Sequence, residues 1–428
     1  MEANPCILVF NCGSSSLKFG VFEIGSLKRL IKGNITRIGT QDAVVEVKCC
    51  TDKLAEQIVR PLKNFGAAAN AVIEWLAYRQ LYYPISAIAH RIVHGGPQYF
   101  APERLTAKLL DDLKHYNYLA PLHLPNEIKV IEQCQKQFTH LPQFLCFDTA
   151  FHQNMPAVST TYTLPKRYRD AGLHRYGFHG LSCEYVTRQL SQNDSCFEDE
   201  KVIIAHLGSG CSLTAVCNGK SYDTTMGISP IGGVVMSSRS GDLDPGVLLF
   251  LMRKFKMNAM QLDHLLSEEA GLKAIAGEPD IRKLLEKEHT EAAAALAIDI
   301  FCTSICKQIA ALTAAMGGLD MLVFTGGIGQ NAVEIRSRIC ERLKFLDLAI
   351  STRRNCLSQQ RISKHNSKVK VCVICTDEER MIATHTNQML NQLNNIDDEN
   401  INQPGIASLK PVLGSSQLPG RLPDLLAG

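Results

Sequence analysis

Two arginines stand in the sequence where a guanidinium group could meet an anion. Arg91 lies in "AHRIVHGG", at the end of an apolar run, and Arg239 lies among small and acidic residues in "SSRSGDLDPG". A surface ion pair would explain either arginine alone. A planar guanidinium is also the group that binds a carboxylate or a phosphate through two parallel hydrogen bonds. The two arginines are therefore candidate ligands for an anionic substrate.

An acid and a histidine stand in comparable places. Asp148 directly follows an apolar run in "FLCFDTAFH", where a carboxylate is costly unless it is paired or functional. His179 stands between glycines in "RYGFHGLS", in a loop with little packing. Singly, each of these residues is more often structural than catalytic. Together with the two arginines, in a sequence without a Ser-His-Asp or metal-cage pattern, they favour an active site that handles anions.

Three glycine- and serine-rich bends follow apolar runs: "NCGSSSLKF" (11–19), "HLGSGCSL" (206–213) and "FTGGIGQNA" (324–332). Such bends expose backbone N–H groups and hydroxyls with no bulky side chain in the way, which suits phosphate oxygens. An ordinary hairpin would explain one bend, but two matched bends and a third favour nucleotide binding. None has the Walker or GxGxxG pattern. One end of a phosphate chain would meet Ser14, Ser15, Ser16 and Lys18, and the other end Gly208 to Ser212.

The elements that must position these residues are predicted by apolar, β-branched runs at 6–10, 85–89, 144–148, 202–207, 321–325 and 369–375. Helical patterns separate several of them, and the clearest, 291–318, ends in a glycine pair. Strands that alternate with helices indicate an α/β protein with largely parallel pairing.

The chain repeats one layout. Segments 6–23 and 202–220 both read as apolar strand, Gly/Ser bend and second strand. At 428 residues the chain is also too long for one ordinary core. We therefore expect two similar halves, residues 1–150 and 151–379. Residues 393–428 are polar and weakly periodic, and we expect a loosely ordered tail.

The net charge, the first residues and the cysteines give expectations about partners, compartment and metal binding. A net charge of +3 gives no reason to expect a nucleic acid or membrane partner. The first residues have no basic and apolar leader pattern, so a cytoplasmic protein is expected. The sixteen cysteines are scattered on apolar runs. Cys372 and Cys375 have the spacing of a metal or redox motif, but no second pair completes a zinc set, so reduced core thiols are expected.

Taken together, the motifs resemble the acetate kinase family over about residues 6–389. The stretches that carry the resemblance occur in family order: "NCGSSSLKF", "HRIVHGG", "FDTAFH", "RYGFHGLS", "AHLGSG", "DTTMGISP", "SRSGDLDP", "FTGGIGQNA" and "TDEER". The resemblance implies the fold of the acetate and sugar kinase, Hsp70 and actin superfamily: two similar actin-like (ribonuclease H-like) domains with an active-site cleft between them. The helix near 380–392 would return to the first domain. The second domain would carry the nucleotide site and the interface of a homodimer.

The resemblance implies Mg²⁺, with Mn²⁺ as an alternative, and ATP as co-substrate. It gives the catalytic roles to Arg91, Asp148, His179 and Arg239, and the metal to Asn11 and Glu378. The acyl group would contact Arg91, Val93, Leu122, Phe178 and Pro230. ATP would contact Ser14, Lys18, His206, Leu207, Gly208, Ser209, Gly210, Asp280, Ile281, Arg282, Gly327, Ile328, Gly329, Gln330 and Asn331. The implied reaction is reversible phosphoryl transfer from ATP to acetate, giving acetyl phosphate and ADP.

Several positions depart from the usual family pattern. Ser209 replaces Asn, Gly232 replaces an acid, Ser237 and Ser238 replace Gly-Thr, and Gln330 replaces Glu. These changes surround the phosphates, and the missing carboxylate at Gly232 is expected to loosen the loop that carries Arg239. Weaker use of ATP is therefore expected, with partial recovery in the combination of Ser209→Asn and Gly232→Glu. Two alternatives stay open beside acetate kinase: a kinase of propionate or another short-chain acid, and a catalytically impaired paralogue that binds nucleotide.

Overall fold

The computed structural model describes residues 4–13, 16–50, 55–78, 83–193 and 197–401. Within these ranges the first sheet has eight strands: β1 (Cys6–Cys12), β2 (Leu17–Glu23), β3 (Arg29–Thr36), β4 (Ala43–Cys49), β5 (Ala55–Arg60), β6 (Ile85–Ile92), β7 (Glu103–Arg104) and β8 (Gln143–Phe147). Their spatial order is β5-β4-β3-β2-β1-β6-β8-β7. Strands β1, β6 and β8 run parallel, so the chain leaves all three at the same sheet edge.

The second sheet repeats the central part of the first. Its strands are β9 (Val202–Leu207), β10 (Cys211–Cys217), β11 (Lys220–Thr224), β12 (Met321–Thr325) and β13 (Lys370–Val373), in the order β11-β10-β9-β12-β13. In both sheets an antiparallel meander of three strands is followed by two parallel strands. The α/β class with two similar halves is therefore confirmed, as are all six strands that the apolar runs predicted.

Helices lie between and around the strands. They are α1 (Phe65–Tyr78), α2 (Ala107–His115), α3 (Leu124–Gln137), α4 (Ala157–Thr160), α5 (Lys166–Arg169), α6 (Gly180–Asn193), α7 (Pro245–Phe255), α8 (Ala259–His264), α9 (Gly271–Ala276), α10 (Ile281–Lys287), α11 (Ala292–Met316), α12 (Gly326–Asn331), α13 (Val333–Arg342), α14 (Thr352–Cys356) and α15 (Glu378–Ile401). Short 3₁₀ turns occupy 116–119, 150–152, 197–199 and 344–346, and a π turn occupies 265–269.

Helix α11 is the predicted long apolar helix, and Gly317 ends it in the left-handed conformation at φ 69°. Among the described residues it is also the one helix whose length and apolar composition would allow a membrane span. Its buried side chains, including Phe301 and Ile305, belong to the same core cluster as Leu322 and Phe324 of β12. Helix α11 thus packs against the second sheet and forms part of its core.

Both sheets belong to one compact unit that extends to Asn387. The predicted boundary between the two halves, near residue 150, lies inside this unit, and it stays a prediction. Helix α15 begins beside the first sheet, where Arg380 donates to the Leu27 carbonyl and Asn387 accepts from the Gly25 amide. The helix continues to Ile401 in a second unit, and residues 402–428, most of the predicted tail, lie outside the described residues.

Candidate active site

A buried ion pair joins the ends of two neighbouring parallel strands. Arg91 is in β6 and Asp148 directly follows β8, and the Arg91 Nη2 to Asp148 Oδ2 distance is 2.6 Å. The backbone N–H of His179 donates to the same carboxylate oxygen at 2.9 Å. Asp148 is fully buried, and its Oδ1 has no hydrogen-bond partner within the described ranges. The pair therefore holds three predicted catalytic residues together and leaves one carboxylate oxygen available.

The charge of Arg91 is stabilised by its neighbours. Burial lowers the pKa of Arg91, but the nearby carboxylates of Asp148 and Glu378 more than offset this effect and hold the pKa above its ordinary value. Its Nη1 also donates to the Cys12 carbonyl at 2.8 Å, at the end of β1. The Arg91 guanidinium thus connects the first glycine- and serine-rich bend (11–19) to the ends of β6 and β8.

The second arginine approaches from the other half of the chain. Arg239 Nη1 donates to the Pro230 carbonyl at 3.0 Å, and Nη2 lies 3.5 Å from His123 Nε2. A Cβ atom on Gly210 would lie 3.2 Å from Arg239 Nη1 and 3.4 Å from His179 Nε2. Glycine therefore lets the tip of the β9–β10 hairpin approach both side chains without crowding them.

The histidines of the site are neutral near pH 7. Burial is the main cause that lowers the pKa of His179 and of His206, and it lowers the pKa of His123 to about 3. The His179 and His206 rings stack at 4.2 Å, and His179 Nδ1 lies 2.9 Å from Ser212 Oγ. With Nδ1 as the acceptor of that bond, Nε2 carries the hydrogen and can donate to an anion.

Glu378 and Glu379 lie at the first turn of α15, next to β1. Asn11 Nδ2 donates to a carboxylate oxygen of Glu378 at 2.8 Å and of Glu379 at 3.0 Å. Burial opposes ionisation of Glu378, but Arg91 and Lys18 lower its pKa to about 2. Asn11 Oδ1 lies 3.5 Å from Arg91 Nη1. In this conformation Asn11 positions Glu378, and an ionised carboxylate at the rim of the site is the group suited to a hard cation.

These residues surround one cavity of about 540 Å³. Among the predicted site residues, it is lined by Asn11, Ser16, Lys18, Arg91, Val93, Asp148, Phe178, His179, His206, Gly208, Ser209, Gly210, Pro230, Arg239, Gly327, Gln330 and Glu378. An adjoining cavity of about 700 Å³ is lined by Asp280, Ile281, Arg282, Ile328 and Asn331, and it shares Gly208, Ser209 and Gly327 with the first. The predicted acyl, phosphate and adenosine residues thus lie along two adjoining cavities.

Three predicted residues within the described ranges do not line these cavities: Leu122, Leu207 and Gly329. Leu207 and Gly329 are buried beneath them, in β9 and α12. Leu122 is half-buried, and its neighbour His123 lines the first cavity in its place. Ser14 lies outside the described residues, as does Ser15.

The structure adds a residue that supports the third glycine bend, now helix α12. Arg336 is fully buried and donates through Nη1 to the carbonyls of Gly329 and Gln330, at 2.9 and 2.7 Å. Its Nε and Nη2 bond to Asn355. Sequence analysis missed Arg336 because "VEIRSRICER" reads as an ordinary surface helix.

The sequence model of the acetokinase family matches residues 6–384. The chain belongs to this family. An acetate kinase of Rhodopseudomonas palustris (strain CGA009) is 38% identical over 387 residues, which cover 89% of this chain and 97% of the relative. The fold matches a propionate kinase from Francisella tularensis with a TM-score of 0.83 at 36% identity, over 89% of this chain and 98% of the other. It matches an acetate kinase of Porphyromonas gingivalis with a TM-score of 0.79 at 32% identity, over 90% and 100%.

The surroundings of Gly232 show how the loop that carries Arg239 is held. Gly232 was expected to loosen the loop that carries Arg239. The loop is instead closed by Asp242, whose Oδ1 accepts from the Gly233 amide at 2.7 Å and whose amide donates to the Gly233 carbonyl at 2.9 Å. A Cβ on Gly232 would lie 3.3 Å from the same Oδ1. A glutamate there would add a second carboxylate beside Asp242, so Gly232→Glu is no longer expected to improve activity.

Proposed function

We propose that this chain is an ATP-dependent acetate kinase that transfers a phosphoryl group reversibly from ATP to acetate. The observation that carries the proposal is the convergence of Arg91, Arg239 and His179 on one cavity that adjoins a second cavity of nucleotide size. Membership of the acetokinase family supports the same reaction class.

The proposed reaction brings together two anions that repel each other, and the site meets that requirement with fixed cations. Acetate would bind beside Val93, Phe178 and Pro230 with its carboxylate toward Arg91. The phosphate chain would lie along the two hairpin bends. Arg239 and the neutral His179 would bind the equatorial oxygens, whose charge develops during an in-line transfer. The chain's contribution is therefore positioning and charge stabilisation, with no covalent enzyme intermediate.

A divalent cation fits the residues at the rim of the site. No group of three or more His, Cys, Asp or Glu side chains in the described ranges is arranged to hold a metal ion by itself. Mg²⁺ is commonly held by one or two carboxylates together with substrate phosphates, and Glu378 supplies such a carboxylate. When bound, Mg²⁺ would neutralise charge on the ATP phosphates. Glu378 would hold it, and Asn11 would orient Glu378.

Glu378→Ala is expected to raise the Mg²⁺ concentration needed for half-maximal rate by tenfold or more and to lower kcat, because the ionised oxygen ligand is lost. Glu379→Ala is the matched control, since the neighbouring carboxylate accepts from the same Asn11 amide. The measurement is the initial rate against Mg²⁺ at fixed ATP. A silent Glu378→Ala beside a damaging Glu379→Ala would move the metal ligand by one residue.

Val93→Ala is expected to shift preference towards propionate. The Val93 side chain lines the cavity beside Arg91, and its loss makes room for one more methylene, which is worth about 1–3 kcal/mol of discrimination. The ratio of kcat/KM for acetate to that for propionate should fall by about tenfold. An unchanged ratio would mean that Val93 does not contact the acyl group.

A hydroxamate assay with ATP, Mg²⁺ and either acetate or propionate tests the proposed function directly. Acetate turnover well above propionate turnover supports it. Faster propionate turnover would favour the alternative of a propionate kinase, a title carried by one structural neighbour. Nucleotide binding without turnover on either acid would favour a catalytically impaired, nucleotide-binding paralogue.

The proposal includes a homodimer in the cytoplasm. Helix α7 supports the homodimer, because it exposes a run of large apolar side chains: Val247, Leu249, Phe250, Met252 and Phe255. Exposed apolar surface of this kind is typical of subunit interfaces. Sedimentation equilibrium would test it, and a monomer at micromolar concentration would count against it.

A further inference from the structure

A buried glutamate outside the predicted site contacts the wall of the proposed acyl pocket. Glu127 lies in the first turn of α3 and is 2% exposed. Both of its carboxylate oxygens accept from the backbone N–H of Val93, at 3.2 and 3.1 Å. Carboxylates are rarely buried unless they are paired or functional. Glu127 has no ion pair with a basic side chain among the described residues, so this amide is the partner that the structure provides.

The contact with Glu127 is one of two hydrogen bonds that hold the peptide group between Ile92 and Val93. The carbonyl of Ile92 accepts from the Asp148 amide at 2.8 Å, and the N–H of the same peptide, on Val93, donates to Glu127. This peptide joins Ile92 to Val93, so it lies one residue after Arg91 and directly precedes Val93. Fixing it on both edges therefore fixes the backbone from which the Val93 side chain leaves, and restrains the end of β6 that carries Arg91.

We propose that Glu127 is the positioning residue of the acyl site, holding Val93 and the end of β6 in place for a short carboxylate substrate. This inference rests on the proposed function for the identity of that substrate. It assigns Glu127 no contact with the reacting atoms. The effect is expected on acid binding and acid selectivity and not on ATP binding.

Because Glu127 can change its charge with pH, its positioning role should give the acetate KM a pH dependence that can be measured. Burial, with a smaller contribution from Asp148, raises the pKa of Glu127 to about 8, against the opposing effects of Arg91 and the Val93 amide. Cys12 on β1 is the other titratable group that interacts with it, and its thiol pKa is raised well above the ordinary value. Below about pH 8 the carboxyl is protonated and neutral. Above that pH it becomes negative and opposes a carboxylate substrate in the neighbouring pocket.

The experiment compares wild type, Glu127→Gln and Glu127→Ala. Gln keeps the shape and an oxygen acceptor for the Val93 amide but does not titrate, whereas Ala removes the acceptor. The acetate KM of wild type should rise several-fold between pH 7 and 9, and that rise should be absent in Glu127→Gln. Glu127→Ala should raise the acetate KM about two- to tenfold at pH 7, as the loss of one hydrogen bond predicts, and lower the acetate to propionate ratio. The KM for ATP should be unchanged in both variants.

A second measurement does not depend on turnover. Hydrogen exchange of the Val93 amide should be faster in Glu127→Ala and close to wild type in Glu127→Gln. Equal exchange in all three proteins, or the same pH dependence of acetate KM in wild type and Glu127→Gln, would overturn the proposal. If wild type fails to turn over any short-chain acid, the proposed function has failed, and the exchange result still decides whether Glu127 holds Val93.

Discussion

Arg239→Ala is expected to lower kcat by about 10²–10³-fold, the usual effect of removing one donor that stabilises charge in a transition state. Among the described residues, the Arg239 side chain hydrogen-bonds to the Pro230 carbonyl, approaches His123 and forms no ion pair, so its removal takes no partner from a buried charge there. The backbone around it is held by other contacts, such as the Met236 amide to the Arg239 carbonyl at 3.1 Å. The melting temperature should therefore stay within about 2 °C of wild type, as for a substitution that removes little structure.

The kinetic pattern distinguishes this role from ground-state binding. An interaction made mainly in the transition state lowers kcat and kcat/KM together, while the KM for ATP changes little. Arg188→Ala is a suitable control, because Arg188 is a half-exposed arginine that pairs with Glu184 away from the proposed active-site cavity. It should leave kcat unchanged. Near-normal turnover in Arg239→Ala would remove this arginine from the proposed mechanism.

The parts of the fold and site that the sequence predicted have local signals. Strands β1, β6, β8, β9 and β12 are apolar runs with a glycine or a charged residue within three positions of their ends, so each strand and its end can be recognised from a few neighbouring residues. Asp148 and Arg91 stand at such ends. Parallel strands bring their ends to one sheet edge, and that is why residues predicted separately meet in one cavity.

The parts that sequence analysis missed depend on partners far away in the chain. Glu127 lies in "LPNEIKVIEQ", which reads as an amphipathic helix with a solvated acid, but strand β6 from elsewhere in the chain buries it. Arg336 similarly reads as a surface residue in the sequence, but in the fold it is buried by its contacts with α12 and Asn355. The effect of Gly232 depends on Asp242, ten residues further along the chain. None of these contacts has a periodic or compositional signal.

Arg91→Ala is expected to affect stability as well as catalysis, unlike Arg239→Ala. It removes the cation that faces Asp148, which is fully buried and 2.6 Å from the guanidinium. Removing one partner of a buried ion pair leaves an uncompensated charge and costs about 3–5 kcal/mol. The free energy of unfolding, measured by urea denaturation at pH 7, should fall by about that amount. The acetate KM should rise in whatever fraction remains folded, because the proposed carboxylate ligand is lost.

A double variant separates these two effects. Arg91→Ala with Asp148→Ala removes both charges, so the unfolding free energy should recover by about 1–3 kcal/mol relative to Arg91→Ala alone, as for neighbours in one ionic contact. Activity should not recover with it, since the cation and the carboxylate that hold the His179 loop are both absent. An Arg91→Ala protein as stable as wild type would mean that Asp148 is protonated or solvated when Arg91 is gone. Recovered turnover in the double variant would show that the pair serves the fold and that Arg239 alone supplies the catalytic charge.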